Sequence, residues 1–262
     1  MLDMNDITDV SIEEKNSIKA AVKKTIKNNL AKLIALLSIV AIALGGLNDT
    51  LDALEKIKYI ALSQFTDIPS HEKLNKVYIR ASSELLDETF GAPVYIKKTH
   101  SDDIVKYYKD SNYIISSIEK GGAIAAYLVF PEKGFYPDTH EHSGGEDLLN
   151  NTLSHQESAH KVSVNMSRTN TYYIEENLFG EYSNLYSSIS GFSSFLSATT
   201  NENQKRLATL ADAQMFGNDV NQAVVAVRDT LVPNFFGYST LDMESLESAI
   251  LSNTEYRLIS KL

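Results

Sequence analysis

The hydrophobic positions of this chain change their spacing several times, and each spacing predicts a different element. Lys15, Lys19, Lys23 and Lys27 recur every four residues, as do Ile18, Val22, Ile26 and Leu30. That spacing keeps each set on one helical stripe, so residues 1–29 read as a basic amphipathic helix. From Leu33 to Leu47 no residue is charged and Ser38 alone is polar. A helix of that length spans roughly 22 Å, against a hydrocarbon core of ~30 Å. Starting at Leu30, with Lys32 snorkelling along its aliphatic stem, the run reaches the usual minimum for a span. Asp49, Asp52 and Glu55 follow. By the positive-inside rule the N-terminus is then cytoplasmic and the C-terminal body outside. The expectation is a cytoplasmic basic helix over 1–29, a transmembrane helix over 30–47 and a juxtamembrane stalk helix over 48–63, on which Leu51 and Leu54 continue the stripe. Two other readings of the run compete. One is a cleaved signal peptide ending at Ala41-Ile42-Ala43, whose n-region would be over thirty residues long. The other is a buried helix of a soluble core, which seldom has six lysines leading into it.

Beyond the stalk, residues 64–262 read as an extracytoplasmic α+β domain. Pro69 precedes a helix capped by Ser70, with Leu74, Val77, Tyr78, Ala81 and Leu85 on one face, ending near Phe90-Gly91. Four short segments rich in β-branched and aromatic residues come next: 93–98, 103–110, 112–119 and 123–130. The turn-like KDSN separates the second and third, and Gly121-Gly122 supplies the positive φ of a tight hairpin between the third and fourth. The pattern predicts a small antiparallel meander packed on the 71–87 helix, with Ile124, Ala126, Leu128 and Phe130 on one face. Residues 130–147 read as a polar loop broken by Pro131 and Pro137. Further on, 170–176 reads as a strand and 201–215 as a helix. Residues 218–231 fit a helix or a strand, with Asn218 as a cap favouring the helix. Residues 240–253 read as a helix burying Leu241, Leu246 and Ile250.

Charge and composition narrow the function. The net charge is −10, and it is carried by the body: residues 1–47 sum to +1 and residues 48–262 to −11. An acidic body repels phosphates, which argues against nucleic acid as a partner. The absence of cysteine removes disulfides, thiolate nucleophiles and cysteine-ligated zinc.

The passage DETFGAPVYIKK…VKYYKDSNYIISSIEKGGAIAAYLVF, within residues 84–130, has the order helix, Gly-x-Pro, meander. It resembles the helix-plus-meander module of outer-membrane-assembly lipoproteins and of β-lactamase-inhibitor-type proteins. That resemblance implies a role in binding other proteins, carried by the module alone, because this chain has no lipobox cysteine. YYIEENLFGEYSNLY (172–186) and VPNFFGY (232–238) are similar to an uncharacterised bacterial family of single-pass membrane proteins. This second resemblance implies the topology and transfers no catalytic residue.

Candidate chemistry is sparse. His140, His142, His155 and His160 fall together, with Asp138, Glu141, Glu146, Asp147 and Glu157 among them. His140-x-His142 puts two imidazoles on one side of an extended strand, a workable zinc pair, while His155 and His160 point about 140° apart on a helix. The rest of that stretch has the composition of a solvated loop. Gly-x-Ser-x-Gly, the P-loop, the dinucleotide glycine fingerprint and His-Glu-x-x-His are absent. Glu175-Glu176 and Asp102-Asp103 are adjacent and diverge, which suits solvated positions. Fourteen tyrosines and no tryptophan invite a binding reading, with Tyr107, Tyr108, Tyr113, Tyr127, Tyr172 and Tyr173 on an exposed face; the competing reading is packing at the edge of a core. The sequence therefore points to a membrane-anchored binding, adaptor or sensor domain that meets membrane lipid and a protein or envelope ligand. The alternatives are a membrane-tethered metal hydrolase using His140 and His142, with zinc as its cofactor, and a homo-oligomer packed through Ser38, Gly45 and Gly46.

Overall fold

The β-rich segments between 93 and 131 pair in sequence order. The computed structural model, which describes residues 66–99, 102–178 and 182–261, contains β1 (Tyr95–Lys98), β2 (Ile104–Lys109), β3 (Tyr113–Lys120) and β4 (Ala123–Pro131), each antiparallel to the next. Gly121 and Gly122 take φ of 61° and 79°, the geometry of a two-residue hairpin turn that only glycine or asparagine adopts cheaply. A register shift next to Glu119 pairs Ile118 with Ala126 but Glu119 with Ile124. The extra residue, Ala125, turns Ile124 to the opposite face from Ala126, Leu128 and Phe130. Ile124 accordingly packs with Tyr127 and Val129, which corrects the expected single-face run.

The helix expected from Ser70 to Phe90 is two short helices, α1 (Ile68–Leu74) and α2 (Glu84–Phe90). Asp67, not Ser70, precedes the first turn, and Pro69 sits inside it, where its missing N–H has no intrahelical acceptor to lose. Between them the chain pairs with the start of β4. Arg80, at φ 71°, donates its N–H to the Ile124 carbonyl, Ala81 accepts from Ile124, and Ser82 bridges Ala123. Backbone groups that would have extended the helix are spent on the sheet.

The second half adds β5 (Lys161–Met166), β6 (Thr171–Asn177), β7 (Ser187–Ser193) and β8 (Phe235–Ser239). Helix α3 (Asn201–Met215) has the predicted bounds, and the Thr200 hydroxyl accepts from the Asn203 N–H at its start. Helix α4 (Asn221–Arg228) starts after Val220; Asn218 instead donates its N–H to Ala213 at the end of α3. The expected 240–253 helix breaks at the extended Ile250 into α5 (Met243–Ala249), capped by Asp242, and α6 (Asn253–Ser260), held by a Ser252/Glu255 capping box. Leu246 and Ile250 are buried as expected, while Leu241 is only partly so.

All eight strands form one antiparallel sheet in the order β1-β2-β3-β4-β8-β7-β6-β5. The small meander of the sequence reading is thus half of a larger sheet, and the domain is α+β. One face carries Tyr108, Ile115, Tyr127, Val129, Phe236 and Tyr238 under α1, α2 and the 132–160 connection, and continues as Tyr173 and Phe192 under α3 and α4. The other carries Tyr107, Ile114, Leu128, Phe130, Ile174, Ile189 and Phe235 under α5 and α6. Each large apolar side chain buried there contributes about 1.5–3 kcal/mol. Residues 1–63, where the cytoplasmic, transmembrane and stalk helices are expected, lie outside the described residues. Among the described residues no helix is long and apolar enough to cross a membrane.

Candidate functional site

A cleft of about 280 Å³ opens where the 132–160 connection crosses β4 and β8 on the α1 face. Strand alternation builds its floor: Phe236 and Tyr238 rise to this face while Phe235 drops to the other, and Tyr127 of β4 pairs with Tyr238. Leu74 and Val77 close the floor from the α1 side. The rim is polar, made by Tyr78, Asp138, Glu141 and His142, of which Tyr78, Asp138 and Glu141 are exposed.

Small polar residues hold the rim in place. Thr139 and Ser143 are buried. The Ser143 hydroxyl sits against the carbonyls of Thr139 and Glu146, and the Leu148 N–H donates to Thr139 Oγ1 at 3.0 Å. This stretch, expected as a solvated loop, is a tightly bonded turn whose exposed side chains alone face water. Asp138 Oδ1 accepts from the His140 N–H at 3.0 Å and lies 2.8 Å from its Nδ1. These two bonds hold the Asp138 carboxyl below its ordinary range, so it is ionised at neutral pH. His142 Nδ1 lies 2.9 Å from the Tyr186 hydroxyl.

Tyr182 and Tyr186 stack with centroids 5.7 Å apart and planes 13° apart, and Tyr186 meets Tyr238 edge-on at 5.6 Å. The His142 ring lies 5.4 Å from Tyr238. Burial, then the neighbouring Tyr182 and Glu141, push the Tyr186 phenol up to about 12. Burial pushes Tyr127 and Tyr238 up as well. Tyr127 and Tyr238 are therefore neutral phenols, and with Phe236 they form an uncharged aromatic floor beneath a rim carrying Asp138 and Glu141. Such an arrangement recognises a ligand by aromatic contact and by charge.

The sequence-derived site residues fall differently from expectation. His140 and His142 engage separate partners, and among the described residues no three His, Asp or Glu side chains are placed to hold a metal ion. The expected zinc pair is thus without a third ligand there. The six tyrosines of the expected binding face are all buried and divide between the two faces of the sheet. Each hydroxyl fastens a covering or neighbouring group: Tyr107 to the Ala249 carbonyl, Tyr108 to Asp87, Tyr113 to the Ser70 carbonyl, Tyr127 to the Val77 carbonyl, Tyr172 to Glu247 and Tyr173 to Glu175. Burial wins because the sheet is covered on both sides, and of the six only Tyr127 lines the cleft. Tyr78, Tyr182, Tyr186 and Tyr238 were the tyrosines to find. The Tyr182-x-x-x-Tyr186 spacing is a local signal of two rings on one side of a turn, but no pattern links them to Tyr238.

Glu175 and Glu176, expected at solvated positions, are also buried. Glu175 accepts from the Tyr173 hydroxyl at 2.7 Å and Asn177 Nδ2 at 3.2 Å, and its Oε2 is 3.5 Å from Arg228 Nε. Its carboxyl is raised by burial, against the pull of Arg228. Arg228 also donates to the carbonyls of Leu153, Gln156 and Glu157, so this cluster ties the 132–160 connection to β6 rather than lining a cavity.

No family model matches the sequence, and neither does any curated protein. A solved structure to which the chain is similar is an extracellular protein containing an SCP domain from Bacillus anthracis str. Ames, at 12% identity and a TM-score of 0.33. The match covers 67% of this chain and 47% of that one, so this chain spans about half the length of that protein. At that score the likeness carries no argument about the cleft.

Proposed function

We propose that residues 64–262 are an extracytoplasmic ligand-binding domain of the sensor or adaptor kind, tethered to the cytoplasmic membrane by residues 30–47. The observation that carries the binding reading is the cleft itself, with buried rings for a floor and exposed Asp138 and Glu141 at its rim. The tether is supported by the uncharged run from Leu33 to Leu47, the lysines before it and the acids after it.

The binding half is tested with the full-length chain in detergent, carbon-13-labelled at histidine. Only six histidines are present, and the His142 resonance is identified by its loss in His142→Gln. A fragment library should contain compounds that shift this resonance saturably; a library that leaves it unmoved throughout sinks the binding reading. The tether is tested by fusing an enzyme active only outside the cytoplasm after Leu262. An active fusion on an uncleaved chain that resists carbonate extraction is expected, and an inactive fusion on a soluble chain removes the tether.

A further inference from the structure

The cleft combines three properties that restrict its ligand. The first is sign. Asp138 is ionised, and Glu141 has no hydrogen bond or ion pair among the described residues. Among the described residues no lysine or arginine lines the cleft. The basic groups near Asp138 are imidazoles, His140 bonded to it and His71 acting at a distance. An anion would be repelled here. The second is the floor. Tyr127, Phe236 and Tyr238 are buried rings whose hydroxyls, where present, already donate to the carbonyls of Val77 and Thr139. A bare metal ion needs an oxygen-rich shell that such a floor cannot supply, whereas alkyl groups carrying a diffuse positive charge are attracted to aromatic rings. The third is size. The volume is near the lower limit of ~300 Å³ for small-molecule sites, which suits a ligand of few heavy atoms.

We infer that the cleft binds a small alkylated organic cation, such as a quaternary ammonium, with its alkyl groups against Tyr127, Phe236 and Tyr238 and its charge toward Asp138 and Glu141. The inference rests on the ligand-binding reading and names the chemistry of its ligand. Glu141 lies on the exposed rim, and both bonds from His140 fall on Oδ1 of the exposed Asp138, which leaves its Oδ2 and the Glu141 carboxylate to face a cation without rearrangement of the core.

The test uses the same full-length chain and the His142 resonance, with choline as the probe and 3,3-dimethylbutan-1-ol as its neutral isostere, in which carbon replaces the charged nitrogen. Choline should shift the resonance saturably, and the isostere should bind roughly tenfold more weakly, because shape is kept and only charge is lost. Glu141→Gln should weaken choline about three- to fivefold, the size of an exposed ion pair, and leave the isostere unchanged. Equal affinities for choline and isostere, or silence toward choline while library fragments bind, overturn the cation and leave the binding domain standing. A resonance silent to choline, isostere and the whole library overturns both.

Discussion

Arg228 ends α4 with its guanidinium buried, where an unpaired charge costs several kcal/mol. It is held by three carbonyls of the 132–160 connection and by Glu175, and it is the one group that lowers the raised Glu175 pKa by charge. A carboxyl raised in the folded state contributes stability that is full below its unfolded pKa and is lost as pH rises through the folded value. Removing Arg228 raises Glu175 further and so deepens that loss on the alkaline side. Arg228→Met should therefore cost about 3–5 kcal/mol at pH 8 and distinctly less at pH 5, read by urea unfolding at both. An equal loss at the two pH values would show that Glu175 plays no part. The tyrosines carry a related lesson. A tyrosine in a strand is amphipathic, and whether its ring is an interface or a core depends on what covers the sheet, which adjacent residues do not encode.

At the scale of the element, β8 decides the architecture. Asn234 latches its entry to β7, with its amide donating to the Ser193 carbonyl and its Oδ1 accepting from the Ser193 N–H. Gly237 then sits between Leu128 of β4 and Ile189 of β7. A methyl group there would overlap the Tyr127 carbonyl oxygen and lie 2.7 Å from Leu128 Cδ2. Gly237→Ala should cost about 1–3 kcal/mol through this overpacking and should broaden the His142 resonance, because Tyr238 is the next residue. A variant as stable as the parent would show that β4 and β8 can part without loss. The strands that pattern alone identifies are those with β-branched and aromatic runs and glycine turns. β7, with Ser187, Ser188, Ser190 and Ser193 all buried, has no such signature. Two of these serines are satisfied by groups outside the strand: Glu176 accepts from Ser187 at 2.6 Å and Gln156 from Ser190 at 3.1 Å, whereas the Ser193 hydroxyl has no hydrogen-bond partner among the described residues.

For the whole domain, β8 is the strand through which two meanders become one sheet, and α5 and α6 behind it cover the face carrying Tyr107, Leu128, Phe130 and Phe235. Removing residues 233–262 should abolish cooperative unfolding of the entire domain, not only of its second half, since β4 loses its neighbour and that face its cover. Thermal circular dichroism and limited proteolysis read this directly. A protease-resistant fragment spanning β1 to β4 would mean that the first meander folds alone.

Local spacing is enough to specify the β1–β4 meander, its glycine hairpin, α3 and the apolar run with its charged flanks. Each depends on residues within one or two turns of each other, and the hydrophobic period and turn chemistry act at that range. The split of the 70–90 helix, the insertion of β8 between β4 and β7, the burial of six tyrosines and of Glu175, and the meeting of Tyr238, Tyr186 and His142 belong to the tertiary structure. They depend on which backbone groups find partners far along the chain and on which faces a second layer covers. Those competitions are won by hydrogen bonds and packing that no local window contains.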